Sequence, residues 1–344
     1  MSEMKTKIIA EIGNIHEGSV GIASSLVDMA ISAGADAVKF QMHISEFEAT
    51  KDEPFRVNFS NQDKTRIEYW DRVGFSHENW HFLREHCYKA GIEFICTPFS
   101  LEAAKFLELE LQVNSFKIGS GDAANWPLLQ FVLSTGKETM ISTGLLSMEE
   151  IANLSNWIFK NGFENAILLH CVSQYPVPLD KISLPILENI RKLHKRVGYS
   201  DHSGNLNVGN FALSTPDLEV LEIHLTPHRQ FFGPDISSSL TPEELSQLVL
   251  FRNTIFELRN SFVSKDDLYK EALETRKIFR KGLFASRDLQ EGEVLTEDMI
   301  ILRKPVLGID SVDLHKVLGV KLKGAIMKNQ PIHLIDLHFE DLDG

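Results

Sequence analysis

Ala37-Val-Lys-Phe-Gln-Met42 is a short apolar run that carries a lysine and a glutamine two residues apart. Apolar residues fall on both faces of it, as a parallel strand covered on both sides requires. Seven further runs have the same character, at residues 7–13, 93–99, 115–120, 139–144, 166–171, 196–202 and 219–226. Most of the intervening stretches are long enough for a helix. Two begin with recognisable start signals: Ser147-Met-Glu-Glu150 reads as a capping box, and Thr241-Pro-Glu-Glu244 as an N-cap, a first-turn proline and an acidic first turn. Strand and helix alternate eight times over about 250 residues, which predicts an α/β fold of the closed (β/α)₈ TIM barrel type. A doubly wound open sheet is the runner-up, but no Gly-x-Gly-x-x-Gly follows the first run to support a dinucleotide site.

The pattern changes after residue 262. Residues 263–282 are charge-rich and read as a linker with some helix. Residues 283–344 carry short β-like runs around Gly292, Gly308, Gly319 and Gly324, so a small β-rich domain is expected after a barrel domain of residues 1–262. The polar, irregular segment 44–71 between the second and third strands marks an elaborated active-site loop.

With 344 residues, a hydrophobic fraction of 43% and a charged fraction of 24%, the chain has the composition of an ordinary globular protein. Its net charge of −13 argues against nucleic acid or an anionic membrane as main partner, because both demand clustered Lys and Arg. The N-terminus shows no signal-peptide pattern and no 18-residue apolar span follows, so a cytoplasmic enzyme is expected. Cys87, Cys96 and Cys171 are too few and too far apart for a disulfide framework or a zinc ribbon, and read as reduced thiols.

In a parallel barrel the chemistry gathers at the C-terminal ends of the strands, and nearly every run here ends in polar residues. Lys39 and Lys117 lie inside apolar runs, where an ammonium group is costly unless an anion neutralises it. A substrate phosphate or carboxylate among Thr97, Ser120 and Ser200 is one partner; an internal salt bridge to Glu17, Asp122 or Glu222 is the alternative. His202 and His224 end neighbouring runs and can share a divalent ion, with Asp201 and Glu222 as further ligands or orienting groups. A site of two nitrogens and several oxygens favours manganese or magnesium over structural zinc. His43, His170 and Asp201 read as packing or orienting residues.

These residues fall in motifs that resemble, in order along the chain, those of the sialic acid (N-acetylneuraminate) synthase family. They are Ile9-Ala-Glu-Ile-Gly-Asn-Ile-His-Glu-Gly18, Ala35-Asp-Ala-Val-Lys-Phe-Gln41, Thr97-Pro-Phe99, Phe116-Lys-Ile-Gly-Ser-Gly121, Leu169-His-Cys171 with Tyr175-Pro176, Ser200-Asp-His202 and Gly233-Pro-Asp235. Leu283-Phe-Ala-Ser-Arg-Asp288, Glu291-Gly-Glu-Val-Leu-Thr296 and Arg303-Lys-Pro305 resemble that family's C-terminal antifreeze-like (SAF) domain. The resemblance implies condensation of phosphoenolpyruvate with the open-chain aldehyde of an N-acetylated hexosamine, giving a nine-carbon 2-keto sugar acid and phosphate. It places Lys39, Thr97, Lys117, Ser120, Ser173 and Ser200 at phosphoenolpyruvate, and His202 with His224 at Mn2+ or Mg2+. Glu17, Tyr175 and Asp235 would face the sugar, with Gln41 and Asp122 nearby. The metal would polarise the aldehyde while the enol carbon attacks. Glu17, Lys39, Lys117, His202 and His224 are thus the catalytic candidates.

Three positions depart from the family pattern. Asn14-Ile15-His16 reverses the usual Ile-Asn order, Ser173 stands where some members have Asn, and Lys304 occupies the place of an arginine that reaches across a dimer to the acceptor. The resemblance therefore implies a homodimer with the C-terminal domain over the partner's barrel. The aromatic run Pro227-His-Arg-Gln-Phe-Phe232 points to a less polar acceptor, a 2,4-diacetamido-trideoxyhexose, beside N-acetylmannosamine. A synthase for a phosphorylated acceptor is an alternative that needs a second phosphate site, and no further basic cluster stands at a strand end. A non-catalytic sugar-binding barrel is a third reading. The charges gathered here are a poor solution for stability alone.

Overall fold

The computed structural model describes residues 4–57, 59 and 62–338; the ends of both expected domains, 1–3 and 339–344, and part of the 44–71 segment lie outside the described residues. Eight strands follow in order: β1 (Lys7–Gly13), β2 (Ala37–Met42), β3 (Glu93–Pro98), β4 (Ser115–Ile118), β5 (Glu138–Ser142), β6 (Ala166–His170), β7 (Val197–Asp201) and β8 (Val220–Leu225). Each lies parallel to the next, and β8 pairs with β1 to close the barrel. Most of the strands end one or two residues before the apolar runs do. Gly119 and His202 lie past the ends of β4 and β7, where the chain turns into the loops of the rim.

Alternation along the strands sorts the interior into layers. Ile9, Ala37, Ile95, Met140, Leu169 and Val220 pack together as an apolar plug. Two residues further along the chain come Glu11, Lys39, Thr97, Ser142 and Glu222 on their strands and Cys171 just past the end of β6, and two beyond those come Gln41 and His224 on their strands and Ser173 in the loop after β6. The outward faces of the strands, with Ile8, Ala10, Val38 and Phe40, pack against the surrounding helices through residues such as Leu26, Val27 and Ala30.

The helices begin where capping chemistry allows. Ser147 accepts from the amide of Glu150, whose carboxylate accepts from the amide of Ser147, opening helix Met148–Lys160. Thr241 and Glu244 make the same reciprocal pair ahead of helix Pro242–Asn260. Gly34, at φ 86°, ends helix Val20–Ala33 in the left-handed conformation that glycine adopts without strain.

The chain divides into two compact units, Met1–Asn260 and Ser261–Gly344. The charge-rich segment 263–282 forms the helices Lys265–Glu271 and Leu273–Phe279 and belongs to the second unit. That unit pairs strand Gly282–Ala285 with Ile300–Arg303 and strand Lys321–Leu322 with Leu337–His338, both antiparallel. Its own core is built on Leu283, Leu289, Leu295, Val317, Leu322, Ile332 and Leu337. Among the described residues, no helix is long and apolar enough to cross a membrane. All three cysteines are buried and free, and burial pushes the Cys87 thiol up to about 12.

Candidate active site

A cavity of about 390 Å³ opens at the C-terminal ends of the strands. Its floor is a set of paired charges. Lys39 Nζ lies 2.6 Å from Glu11 Oε2, donates to Thr97 Oγ1 at 3.2 Å and stands 3.9 Å from Glu222 Oε2. Lys117 Nζ donates to Ser142 Oγ at 2.7 Å and stands 3.9 Å from Glu222 Oε1, which accepts the Ser200 hydroxyl at 2.8 Å. Each strand lysine therefore has an internal carboxylate. Glu222 is one of the partners expected, and Glu11 is a partner the motif reading did not single out.

The two lysines differ in their electrostatics. Burial works against the charge of both. At Lys39 the carboxylates of Glu11 and Glu222 outweigh it and raise the pKa, whereas at Lys117 burial, with Lys39 nearby, outweighs the single carboxylate of Glu222 at 3.9 Å and shifts the pKa down. Glu222 is held below the usual carboxylate range, because both lysines outweigh its burial.

Above this floor the rim carries His202, His224, Tyr175, Asp235, Ser120, Ser173 and Gln41. Eleven of the fourteen site residues expected from sequence thus line one cavity. Gln41 is fixed by three neighbours: its amide donates to Glu11 Oε1 at 2.6 Å, while its oxygen faces Asn14 Nδ2 at 3.1 Å and His43 Nε2 at 3.3 Å. The reversed Asn14-Ile15-His16 order sets Asn14 in the cavity and His16 in the core, stacked on Phe75. Ser120 Oγ accepts from the Gly144 amide. His43 is sandwiched between Trp70 and Phe99, His170 meets the Ile182 carbonyl, and Asp201 is occupied by Tyr199 and Ser203.

Three expected residues are placed elsewhere. Glu17, in a left-handed turn at φ 51°, pairs with Arg72 at 2.8 Å and does not line the cavity. Asp122 accepts from Asn125 at 3.0 Å, also away from the lining. Lys304 lies in the second unit, directly after strand Ile300–Arg303, with its ammonium 5.6 Å from the Phe279 ring centroid.

The 44–71 segment contributes residues that strand-end reasoning does not reach. Phe55, Arg56, Phe59, Arg66, Tyr69 and Trp70 all border the cavity. Cations are therefore present at the mouth, but they come from the 44–71 segment and not from a strand end, Arg56 from its irregular part and Arg66 from the first turn of helix Arg66–Val73, and each has a carboxylate partner: Arg56 pairs with Asp235 and Arg66 with Glu53. Phe232 packs on Phe59 at 5.7 Å between centroids and is not a lining residue.

Residues 26–262 match the NeuB family, and residues 280–337 match the SAF domain. The chain belongs to the NeuB family. It is 31% identical over 321 residues to N,N'-diacetyllegionaminic acid synthase of Campylobacter jejuni, covering 92% of this chain and 95% of that one. It is also 31% identical over 340 residues to human N-acetylneuraminate-9-phosphate synthase, covering 96% and 93%. A crystal structure of N-acetylneuraminic acid (sialic acid) synthetase from Leptospira borgpetersenii, 29% identical, superposes with a TM-score of 0.67 over 79% of this chain and 92% of that one. NeuB-family synthases are generally metal-dependent.

The histidines of this NeuB-family chain fit such an ion in part. His202 Nδ1 donates to the Val172 carbonyl at 2.8 Å, which leaves the Nε2 lone pair for the cavity, where the Tyr175 hydroxyl lies 3.2 Å away. Burial and the neighbouring His224 push its pKa down to about 3, so the ring is neutral, as a ligand must be. The two imidazole centroids are 5.4 Å apart. Among the described residues no group of three or more His, Cys, Asp or Glu is gathered to hold a metal. Two protein nitrogens with the remaining positions left to oxygens from substrate and water suit a hard divalent ion, not a closed zinc site.

Proposed function

We propose that this protein is a nonulosonic acid synthase: it condenses phosphoenolpyruvate with an open-chain N-acetylated hexosamine to a nine-carbon 2-keto sugar acid and releases phosphate. The observation that carries this reading is the placement of Lys39 and Lys117 on the floor of the same cavity that His202 and His224 border. Lys39, Lys117, Thr97, Ser120, Ser173 and Ser200 hold phosphoenolpyruvate by its phosphate and carboxylate. His202 and His224 hold Mn2+ or Mg2+, which when bound supplies polarisation of the acceptor's aldehyde.

The chain's own residues do the rest by position and charge. Carbon–carbon bond formation needs the enol face held against the aldehyde, and the floor lysines, anchored by Glu11, Ser142 and Glu222, fix that face. The cationic centre left on the former enol carbon takes up water before phosphate departs. Glu17 is drawn off by Arg72, so Glu11 and Glu222, the carboxylates of the cavity floor, orient that water. Tyr175, Gln41 and Asp235 face the sugar.

A cytoplasmic homodimer in which Lys304 serves the partner's barrel completes the reading, and sedimentation of the active enzyme tests it. The decisive experiment is phosphate release from phosphoenolpyruvate with Mn2+ or Mg2+, using N-acetylmannosamine and a 2,4-diacetamido-trideoxyhexose as acceptors. Turnover with one of them is expected; absence of turnover with every acceptor overturns the synthase reading in favour of a non-catalytic sugar-binding barrel.

A further inference from the structure

Arg56 stands outside every motif of the barrel strands, yet it touches both residues that border the histidines. Its guanidinium carbon lies 3.9 Å from the centroid of the Tyr175 ring, and its Nη2 is ion-paired with Asp235 Oδ1. Tyr175 in turn lies 3.2 Å from His202 Nε2 through its hydroxyl, and Asp235 Oδ2 is 4.0 Å from His224 Nδ1. One side chain from the loop thus bridges the two sides of the mouth.

The loop is held for this purpose. Glu53 accepts from the Trp70 indole at 3.2 Å and pairs with Arg66 at 3.3 Å, while Arg66 also donates to the Pro54 carbonyl at 3.4 Å. Arg56 therefore leaves a backbone that is tied down only two residues earlier.

We propose that Arg56 is a specificity-determining residue of the acceptor site and that it selects an unphosphorylated amino sugar; this rests on the synthase reading above. A guanidinium that spends one edge on Asp235 and its face on Tyr175 keeps further N–H donors for neutral oxygens, such as an acetamido carbonyl or a hydroxyl. Its charge is already balanced. The cavity's other described lysines and arginines are committed elsewhere, Lys39 and Lys117 to phosphoenolpyruvate in the synthase reading and Arg66 to Glu53. A phosphorylated acceptor reaching Arg56 has to break the pair with Asp235 and leave that carboxylate facing a dianion, a like-charge contact that disfavours it. Lysine has neither the planar face for Tyr175 nor the second donor edge, so Arg56→Lys is not equivalent.

Steady-state kinetics of the full-length wild type, Arg56→Ala and Arg56→Lys test this, with N-acetylmannosamine, its 6-phosphate and a 2,4-diacetamido-trideoxyhexose as acceptors. The wild type should favour an unphosphorylated acceptor. Arg56→Ala should raise that acceptor's KM by about tenfold, the scale of one charge-assisted hydrogen bond, while the KM for phosphoenolpyruvate moves less than about twofold. Arg56→Lys should fall between them. An unmoved phosphoenolpyruvate KM also certifies that the variants are folded. An active wild type that prefers the 6-phosphate, or an Arg56→Ala enzyme with unaltered acceptor KM, overturns this inference alone. A wild type silent with all three acceptors overturns the synthase reading, and this inference with it.

Discussion

Lys39 Nζ sits 2.6 Å from Glu11 Oε2, and the two residues are register partners on β2 and β1. Both side chains are almost wholly removed from solvent. Removing one member of such a pair leaves a buried charge uncompensated, which costs about 3–5 kcal/mol. Glu11→Gln and Lys39→Met should each lower stability on that scale in urea unfolding. The double variant should recover much of the loss, because neither charge is left alone, yet remain inactive in phosphate release. Additive losses in the double-mutant cycle would show that the two side chains do not act as a pair.

His202 reaches the cavity with its tautomer already set by the Val172 carbonyl. Perturbing groups that merely orient a metal-binding histidine weakens affinity by about 10–100-fold, so loss of an imidazole ligand itself should exceed that range. Calorimetric titration of Mn2+ into the metal-free protein should give saturable binding. His202→Ala and His224→Ala should each weaken it by more than about a hundredfold without moving the thermal melt of the metal-free protein. Equal Mn2+ affinity in wild type and both variants would place the ion elsewhere.

The period-2 logic of the strands makes most of this site legible in the sequence. Lys39 and Gln41, Ser200 and His202, and Glu222 and His224 each sit two apart, so one face of each strand presents both members to the barrel interior. Glu11 obeys the same spacing on β1, but its role depends on which residue stands beside it on β2, and register is not encoded within a single strand. Glu17 lies beyond the end of β1, where the chain turns through a left-handed residue and the strand's phase no longer dictates direction; Arg72, 55 positions away, claims its carboxylate. Arg56 comes from an aperiodic segment whose course is set by Glu53, Trp70 and Arg66, contacts that no local pattern announces. The capping box at Ser147 and the N-cap at Thr241 are legible for the opposite reason: donor and acceptor lie within four residues of each other.

At the first residues of the strands, Glu138 links Lys7 at 2.8 Å and Arg196 at 2.9 Å. Burial opposes its ionisation, but the two cations outweigh it and hold the carboxyl below its ordinary range. A carboxylate whose pKa is lower folded than unfolded contributes stability above its unfolded value, about pH 4.3, and loses it as pH falls through the folded value. Glu138→Gln should therefore cost about 1 kcal/mol at pH 7, modest because the pair is partly exposed. The gap between wild type and variant should close as pH falls below about 4.3 and through the folded value in urea melts. A gap that stays constant down to pH 2 would mean the carboxylate is not differentially ionised.

Gly198 marks where the barrel admits no side chain. It lies on β7 between β6 and β8, two residues before Ser200 on the same inward phase, at the level of the apolar plug. A Cβ built there would stand 2.5 Å from Leu169 Cδ2, 2.7 Å from the Val220 carbonyl oxygen and 3.0 Å from Val220 Cβ. Leu169 can rotate its methyl group away, but the Val220 oxygen is held in the ladder and can yield only if β8 moves. Overpacking of this kind costs about 1–3 kcal/mol. Displacement of β8 would also carry Glu222 and His224, because they follow Val220 on the same strand. Gly198→Ala should thus lower the unfolding midpoint and, in the folded fraction, weaken Mn2+ binding and phosphate release together. Gly198→Ala with reduced stability but wild-type Mn2+ affinity would show that Leu169 absorbs the methyl group and leaves β8 in place.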